Sequence, residues 1–150
     1  MSKTLVIAVV VPVVLVGAAV GGAFLYRDHR EAAARKTAKD FLATLGSGGD
    51  ADTLQRAFDL TDAAHHGSDS QRARQEFPEK LMRLGLLGGV QDADCSHIQR
   101  ESNFINTFTM GLHGVECQWR EGRGVLYVLA SDGRELVVSA NIDQRGHETL

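Results

Sequence analysis

Residues 124–142 read GVLYVLASDGRELVVSANI, two runs of alternating apolar residues that flank Asp132 and Gly133. An Asp-Gly pair between two such runs is a strong signal of a β-hairpin with a two-residue turn. Upstream of the hairpin, residues 115–119 and 104–110 also alternate between apolar and polar side chains. The C-terminal half of the chain therefore predicts an antiparallel sheet of about four strands.

The residues before the sheet have a helical rather than an alternating period. In residues 28–45 one apolar stripe follows the spacing i, i+4, i+7, i+8, i+11. Its members are Ala34, Ala38, Phe41, Leu42 and Leu45. Gly46 is well placed as the residue just past the end of this helix.

Two further helical segments precede the sheet. Asp50 or Asp52 can cap a second helix, because a short carboxylate accepts the free backbone N–H groups of a first turn. Residues 61–70 are polar and turn-like, and a third helix then reaches Leu87, with a break or kink at Pro78. Helices come first and strands second, so the predicted fold class is α+β, with two or three helices packed on a curved antiparallel sheet.

The phrase AKDFLATLGSGGDADTLQRAF, residues 38–58, resembles the start of the NTF2-like (cystatin-like, cone-shaped α+β) superfamily. Its members often open with a helix, a Gly-Asp turn and a second helix before a curved sheet. Some small bacterial members are membrane-anchored. The resemblance spans about residues 28–143. It implies no catalytic residues for this chain, because the superfamily includes enzymes, ligand binders and assembly modules.

Residues 5–25 contain no charge, amide or hydroxyl, and a helix of that length covers roughly 30 Å, the thickness of a bilayer's hydrocarbon core. A secretion signal has a shorter apolar region and a small-residue cleavage site, for which residues 17–19 or 21–23 would serve. Because the apolar run continues past both sites to Tyr26, a retained anchor is the favoured interpretation. Pro12 is tolerable within such a helix. The predicted organisation is a membrane anchor over residues 1–26 and one small domain over residues 27–150.

The orientation signals conflict. Five basic residues follow the apolar segment closely and by the positive-inside rule favour a cytoplasmic domain. They are Arg27, Arg30, Arg35, Lys36 and Lys39. Short-tailed anchors commonly export the domain behind them, and two cysteines suit an oxidising compartment. We favour a single-pass protein of the inner (plasma) membrane with an extracytoplasmic, periplasmic domain, which is expected to lie near the bilayer.

The 22-residue separation of Cys95 and Cys117 is too long for a CxxC redox motif. In a simple meander, residues 104–110 would hold the two cysteine strands nearly 10 Å apart, too far for a bond. A disulfide therefore requires that the two strands be neighbours or that Cys95 lie in a loop. Two buried thiols are the alternative.

The other polar residues predict no metal, cofactor or catalytic site. Histidines at 65, 66, 97, 113 and 147 lack ligand spacing and are expected to be exposed to solvent. The carboxylates at 92, 94, 101 and 116 could meet across strands but are more often solvated.

Gly17 and Gly21, four residues apart with Gly22 beside them, form the one motif with a physical mechanism. Small residues at this spacing let two membrane helices approach closely, although they are also common in lone anchors.

Residues 27–150 carry fifteen basic and nineteen acidic side chains, a formal charge of −4, which argues against nucleic-acid binding. With no convergent polar site, we expect a non-enzymatic accessory subunit that contacts the lipid bilayer and docks on, or stabilises, a larger membrane protein complex. The alternative is a periplasmic small-molecule-binding module or small enzyme that uses the concave face of the sheet. A deep apolar pocket would favour that alternative.

Overall fold

A computed structural model of the chain describes residues 3–99 and 111–150. The described residues form four helices followed by five strands. They are α1 (Lys3–Gly46), α2 (Ala51–Phe58), α3 (Asp62–His65), α4 (Ser70–Leu84), β1 (Asp94–Gln99), β2 (Leu112–Trp119), β3 (Gly122–Ser131), β4 (Arg134–Ile142) and β5 (Gly146–Thr149). The chain divides into two compact units: Met1–Arg30, called the N-terminal unit below, and Glu31–Leu150, called the domain.

The sheet of the domain is an antiparallel meander in the order β1-β2-β3-β4-β5. At the β3–β4 turn Ser131 pairs with Arg134, while Asp132 and Gly133 have φ values of 48° and 76°. Two positive φ values in a two-residue loop are the geometry for which Asp-Gly is suited. The predicted α+β class and the hairpin are confirmed.

The sheet has five described strands where about four were predicted. Neither β1 nor β5 is among the four alternating runs; β5, at the C-terminal edge, has the sequence GHET, which is short, polar and without alternation. It is held by its pairing with β4 rather than by an apolar face of its own. The strand predicted over residues 104–110 lies outside the described residues.

A β-bulge in β4 changes the register of the hairpin. Leu129 pairs with Leu136 and Val128 with Val137, but Tyr127 pairs with Ser139, so Val138 is the extra residue. The N–H of Val137 instead donates to the carbonyl of Leu60 at 2.8 Å. The bulge therefore ties the connection between α2 and α3 to the middle of the sheet.

The predicted helices are present with shifted ends. Asp50 caps α2, where its carboxylate accepts the N–H of Thr53 at 2.8 Å. The helix α4 runs through Pro78 without breaking and stops at Leu84, because Gly85 takes the left-handed conformation at φ 67°. The end predicted at Leu87 is therefore too late. Residues 62–65, expected to be turn-like, form the short helix α3.

Gly46 is the last residue of α1 rather than the first residue beyond it. A Cβ atom at this position would lie 2.2 Å from the carbonyl oxygen of Val90. The glycine is thus required by the close approach of the Val90 backbone to the helix end.

One hydrophobic core joins the helices of the domain to one face of the sheet. The predicted stripe of α1 is fully buried, from Ala34 to Leu45. Phe77 of α4 packs edge-on against two aromatic rings, Phe41 at 6.4 Å and Phe58 at 5.3 Å between ring centroids. These rings pack in one buried cluster with aliphatic side chains of the strands.

Candidate functional site: a polar groove on the sheet

The glycines singled out in the N-terminal unit lie on an open surface of α1. A Cβ atom built on Gly17, Gly21 or Gly22 would meet no atom within 4 Å. From Val11 to Asp28 every side chain is exposed except that of Arg27, which is half-buried. This surface is accessible to another helix or to lipid.

Cys95 and Cys117 form a disulfide between the neighbouring strands β1 and β2. Both residues are buried, at 5 % and 2 % exposure, among the core side chains. The bond fits the sheet because β1 pairs directly with β2. A meander with residues 104–110 as a strand between them would have held the two cysteines too far apart.

The histidines differ in exposure. His65, His66 and His147 are exposed, and the side chain of residue 97 lies outside the described part of the chain. His113 is 2 % exposed on the core side of β2, so the expectation that it is solvated is wrong. Its position follows from strand alternation, because His113 shares a face with Val115 and Cys117.

The two adjacent histidines contact the β3–β4 turn. His65 Nε2 lies 2.8 Å from the carbonyl oxygen of Asp59, and Arg134 Nη1 lies 3.3 Å from His65 Nδ1. His66 Nε2 is 3.8 Å from Asp132 Oδ2. These exposed contacts give both rings a structural partner. Within residues 11–96 and 111–150, no group of three or more His, Cys, Asp or Glu side chains could hold a metal ion.

The opposite face of the sheet carries an open groove of about 360 Å³. Residues Glu116 and Gln118 point into it because they alternate with the buried Val115, Cys117 and Trp119. The lining side chains are Asp94, Ser96, Glu116, Gln118, Arg123, Val125 and Asp143. We call this concavity the sheet groove.

An ion pair closes one end of the sheet groove. Arg123 Nε donates to Asp143 Oδ2 at 2.5 Å, and the N–H of Asp143 donates to the carbonyl of Arg123 at 3.1 Å. The hydrogen bond and the charge of Asp143 raise the pKa of the Arg123 guanidinium. The positive charge of Arg123 is balanced by that of Asp143. The other charged side chains that line the sheet groove are the carboxylates Asp94 and Glu116.

The sequence does not predict the pairing of Arg123 with Asp143. A regular hairpin counted outward from Asp132-Gly133 would place Arg123 opposite Ile142. The bulge at Val138 shifts the register by one residue, so Gly124 lies opposite Ile142 instead. Nothing in the residue types of β4 signals that bulge.

The expected solvation of the strand carboxylates holds for Asp92 and Asp94 but only in part for Glu116, which is half-buried and shares the sheet groove with Asp94. Asp92 pairs with Arg120 at 3.1 Å, with both side chains exposed. Asp94 is exposed and Glu116 half-buried in the sheet groove, while residue 101 lies outside the described residues.

Two other concavities are also open and shallow. One, of about 380 Å³, lies between the end of α4 and the β2–β3 turn, and another, of about 350 Å³, lies between α2 and α4. All three are open to solvent, whereas small-molecule sites are typically enclosed by apolar walls. No protein-family model, no curated protein and no solved structure matches this chain.

Proposed function

We propose that the chain is a non-enzymatic, single-pass membrane protein whose domain docks on, or stabilises, a larger membrane protein complex. The observation that carries the proposal is the N-terminal part of α1. It is a helix long and apolar enough to cross a membrane, with an 18-residue window of mean hydropathy 1.4, none of which is buried. An isolated apolar helix of this kind needs lipid or protein around it.

The small-residue face of this helix supports docking through the membrane segment as well as through the domain. Gly17 and Gly21 are one turn apart, and Gly22 widens the same smooth surface. In a bilayer the hydrophobic effect does not drive helices together, so close backbone approach at small residues supplies the contact energy. A partner helix is the proposed occupant of this face.

The packed core in the described part of the domain also supports a docking role. Phe77 packs against two other aromatic rings, and the apolar stripe of α1 is fully buried. In the NTF2-like interpretation, which we retain as a proposal, a ligand-binding member would keep space open between the helices and the sheet. Close packing within residues 31–96 and 111–150 therefore favours a role for the outer surface of the domain.

The disulfide supports an extracytoplasmic side for the domain. Thiols in the cytosol are kept reduced, whereas a buried Cys95–Cys117 bond forms and persists in an oxidising compartment. We give this observation more weight than the cluster of basic residues after the apolar segment, because N-terminal anchors with short tails commonly export the domain behind them. The proposed location is the inner (plasma) membrane, with the domain in the periplasm.

The sheet groove supports a second candidate function, that of a periplasmic binding module. Its carboxylates Asp94 and Glu116 converge on one surface, and that surface would take a small cationic or hydrogen-bonding ligand. A Glu116→Gln variant distinguishes the two candidates, because it should abolish binding of such a ligand and leave docking unchanged.

The proposal is tested by co-purification in mild detergent followed by mass spectrometry. We expect a membrane protein complex to accompany the full chain and to be lost from the Gly17→Leu/Gly21→Leu double variant, which stays apolar but gains bulk. The matched control is Val16→Leu/Val20→Leu, which adds bulk one residue away around the helix. Equal recovery of the partner with both double variants would contradict docking through the glycine face.

A further inference from the structure

We propose that His65 and His66 form a pH-responsive clasp between the end of α3 and the β3–β4 turn. At neutral pH Arg134 is bound to His65, and on acidification that bond is lost while an ion pair forms between His66 and Asp132. The clasp lies within the domain, so this inference goes beyond the proposed docking function and does not rest on it.

The two partners of His65 assign the proton on its ring. Nε2 lies 2.8 Å from the carbonyl oxygen of Asp59, which can only accept a hydrogen bond, so Nε2 carries the proton. Nδ1 lies 3.3 Å from Nη1 of Arg134, and a guanidinium can only donate, so Nδ1 must offer its lone pair. His65 therefore makes both bonds only as a neutral ring. A proton added at Nδ1 would set two donors and two positive charges against each other, and the bond to Arg134 would be lost.

The neighbouring ring responds to acid in the opposite direction. His66 Nε2 lies 3.8 Å from Asp132 Oδ2, and the two side chains are 35 % and 85 % exposed. Histidine rings ordinarily gain their positive charge between about pH 8 and pH 5, a range in which aspartate side chains are ordinarily ionised. A protonated His66 can thus form an ion pair with Asp132. Because Asp132 and Arg134 belong to the same turn, acidification changes which histidine holds that turn.

The two rings have other charged groups on the elements around them. The helix α3 contacts α4 and β4, and it follows α2 directly. The charged residues on the nearby parts of these elements are Asp59, Asp62, Asp69, Arg72, Arg74, Asp132, Arg134 and Glu135. Asp59 accepts a hydrogen bond from Gln55, and Arg72 pairs with Glu76. The charged groups that the structure places in contact with the rings are those of Arg134 and Asp132.

The clasp is the outer of two attachments between the α2–α3 connection and the β3–β4 hairpin. The inner attachment is the bond from the Val137 N–H to the carbonyl of Leu60, beside the bridge between Thr61 and Val137. It joins backbone groups next to the fully buried Thr61, and backbone groups gain no proton in this range of pH. Acidification should therefore alter the hold on the turn and leave the core of the domain intact.

NMR of the full chain in detergent micelles, at about pH 8 and about pH 5, tests the clasp. At pH 8 the ring nitrogens of His65 should show a proton on Nε2 alone, and a nuclear Overhauser contact should join this ring to the Arg134 side chain. At pH 5 both nitrogens should be protonated and that contact should be lost, while the contact between His66 and Asp132 should strengthen.

The variant Asp132→Asn separates the two halves of the clasp, because it keeps the size of the side chain and removes its charge. In this variant the His66 contact should no longer strengthen on acidification, and the loss of the Arg134 contact should be unchanged. The rings of Phe58 and Phe77, whose centroids lie 5.3 Å apart in the core, should stay in contact at both pH values.

Three outcomes overturn the inference. The first is a proton on Nδ1 of His65 at pH 8, and the second is an Arg134 contact that keeps its intensity at pH 5. The third is loss of the Phe58–Phe77 contact at pH 5, which would show general unfolding in acid rather than a change at the turn.

Discussion

Reduction of the Cys95–Cys117 disulfide should lower the stability of the domain by an amount set mainly by loop length. The bond closes a loop with a sequence separation of 22 residues. In the chain-entropy model, breaking the bond raises the conformational entropy of the unfolded chain and so lowers the free energy of unfolding by about 3.4 kcal/mol. With a urea slope of about 1.5 kcal/mol/M, the unfolding midpoint should fall by about 2 M.

The assay is urea unfolding of the full chain in detergent, followed by the fluorescence of Trp119. This is the one tryptophan of the chain; it is 7 % exposed and ends β2, the strand that holds Cys117. The Cys95→Ala/Cys117→Ala variant is the control, since adding reductant to it should change nothing further. Equal midpoints for the oxidised and reduced chain would refute the claim that this bond stabilises the sheet.

Three other changes should alter stability in the same assay. Gly46→Ala should lower the free energy of unfolding by about 2 kcal/mol, because the new Cβ would lie 2.2 Å from the carbonyl oxygen of Val90. Gly49→Ala is the control and should change stability little, because its Cβ would meet Leu87 at 3.4 Å. Equal unfolding midpoints for the two variants would contradict the close approach at Gly46. Leu81→Ala removes a fully buried side chain and should lower the free energy of unfolding by about 3 kcal/mol. The control Met82→Ala, at a side chain that is 58 % exposed, should lower it by less than about 0.5 kcal/mol. A similar loss of stability in both variants would contradict the burial of Leu81 in the core. The backbone hydrogen bond from Thr53 lowers the pKa of the Asp50 carboxyl below 3.8. The stabilisation by the Asp50 carboxylate is therefore present above pH 3.8 and is lost as the pH falls through the lowered pKa. The Asp50→Ala variant should be less stable at pH 7, and its stability should fall less on acidification.

The elements with local signals are the ones that the sequence predicts. The Asp132-Gly133 turn, the Asp50 cap and the apolar stripe from Ala34 to Leu45 each depend on residues close together in the chain. All three are present in the structure.

The features that the sequence does not predict depend on contacts between distant residues. The strand β5 is polar and forms because β4 offers an unpaired edge. The sheet groove depends on a bulge at Val138, which brings Arg123 to Asp143. The burial of His113 follows from the register of β2 rather than from its residue type.

Proline and glycine have different effects in the helices. Pro78 predicts a break or kink, yet α4 continues through it between the buried Phe77 and Leu81, and it ends only where Gly85 permits a left-handed residue. Packing on both sides of the proline thus offsets the loss of one backbone hydrogen bond.

The retained anchor and the exported domain are both tested by one intact mass, that of the chain recovered from carbonate-washed membranes after the cells are treated with a permeant thiol-blocking reagent. We expect the mass of a chain that still contains residues 5–25, carries no blocking group and is lighter by the two hydrogens lost in the Cys95–Cys117 bond. A chain beginning near Ala18, Ala19 or Phe24 would contradict the retained anchor. A chain blocked at both cysteines would contradict the extracytoplasmic domain.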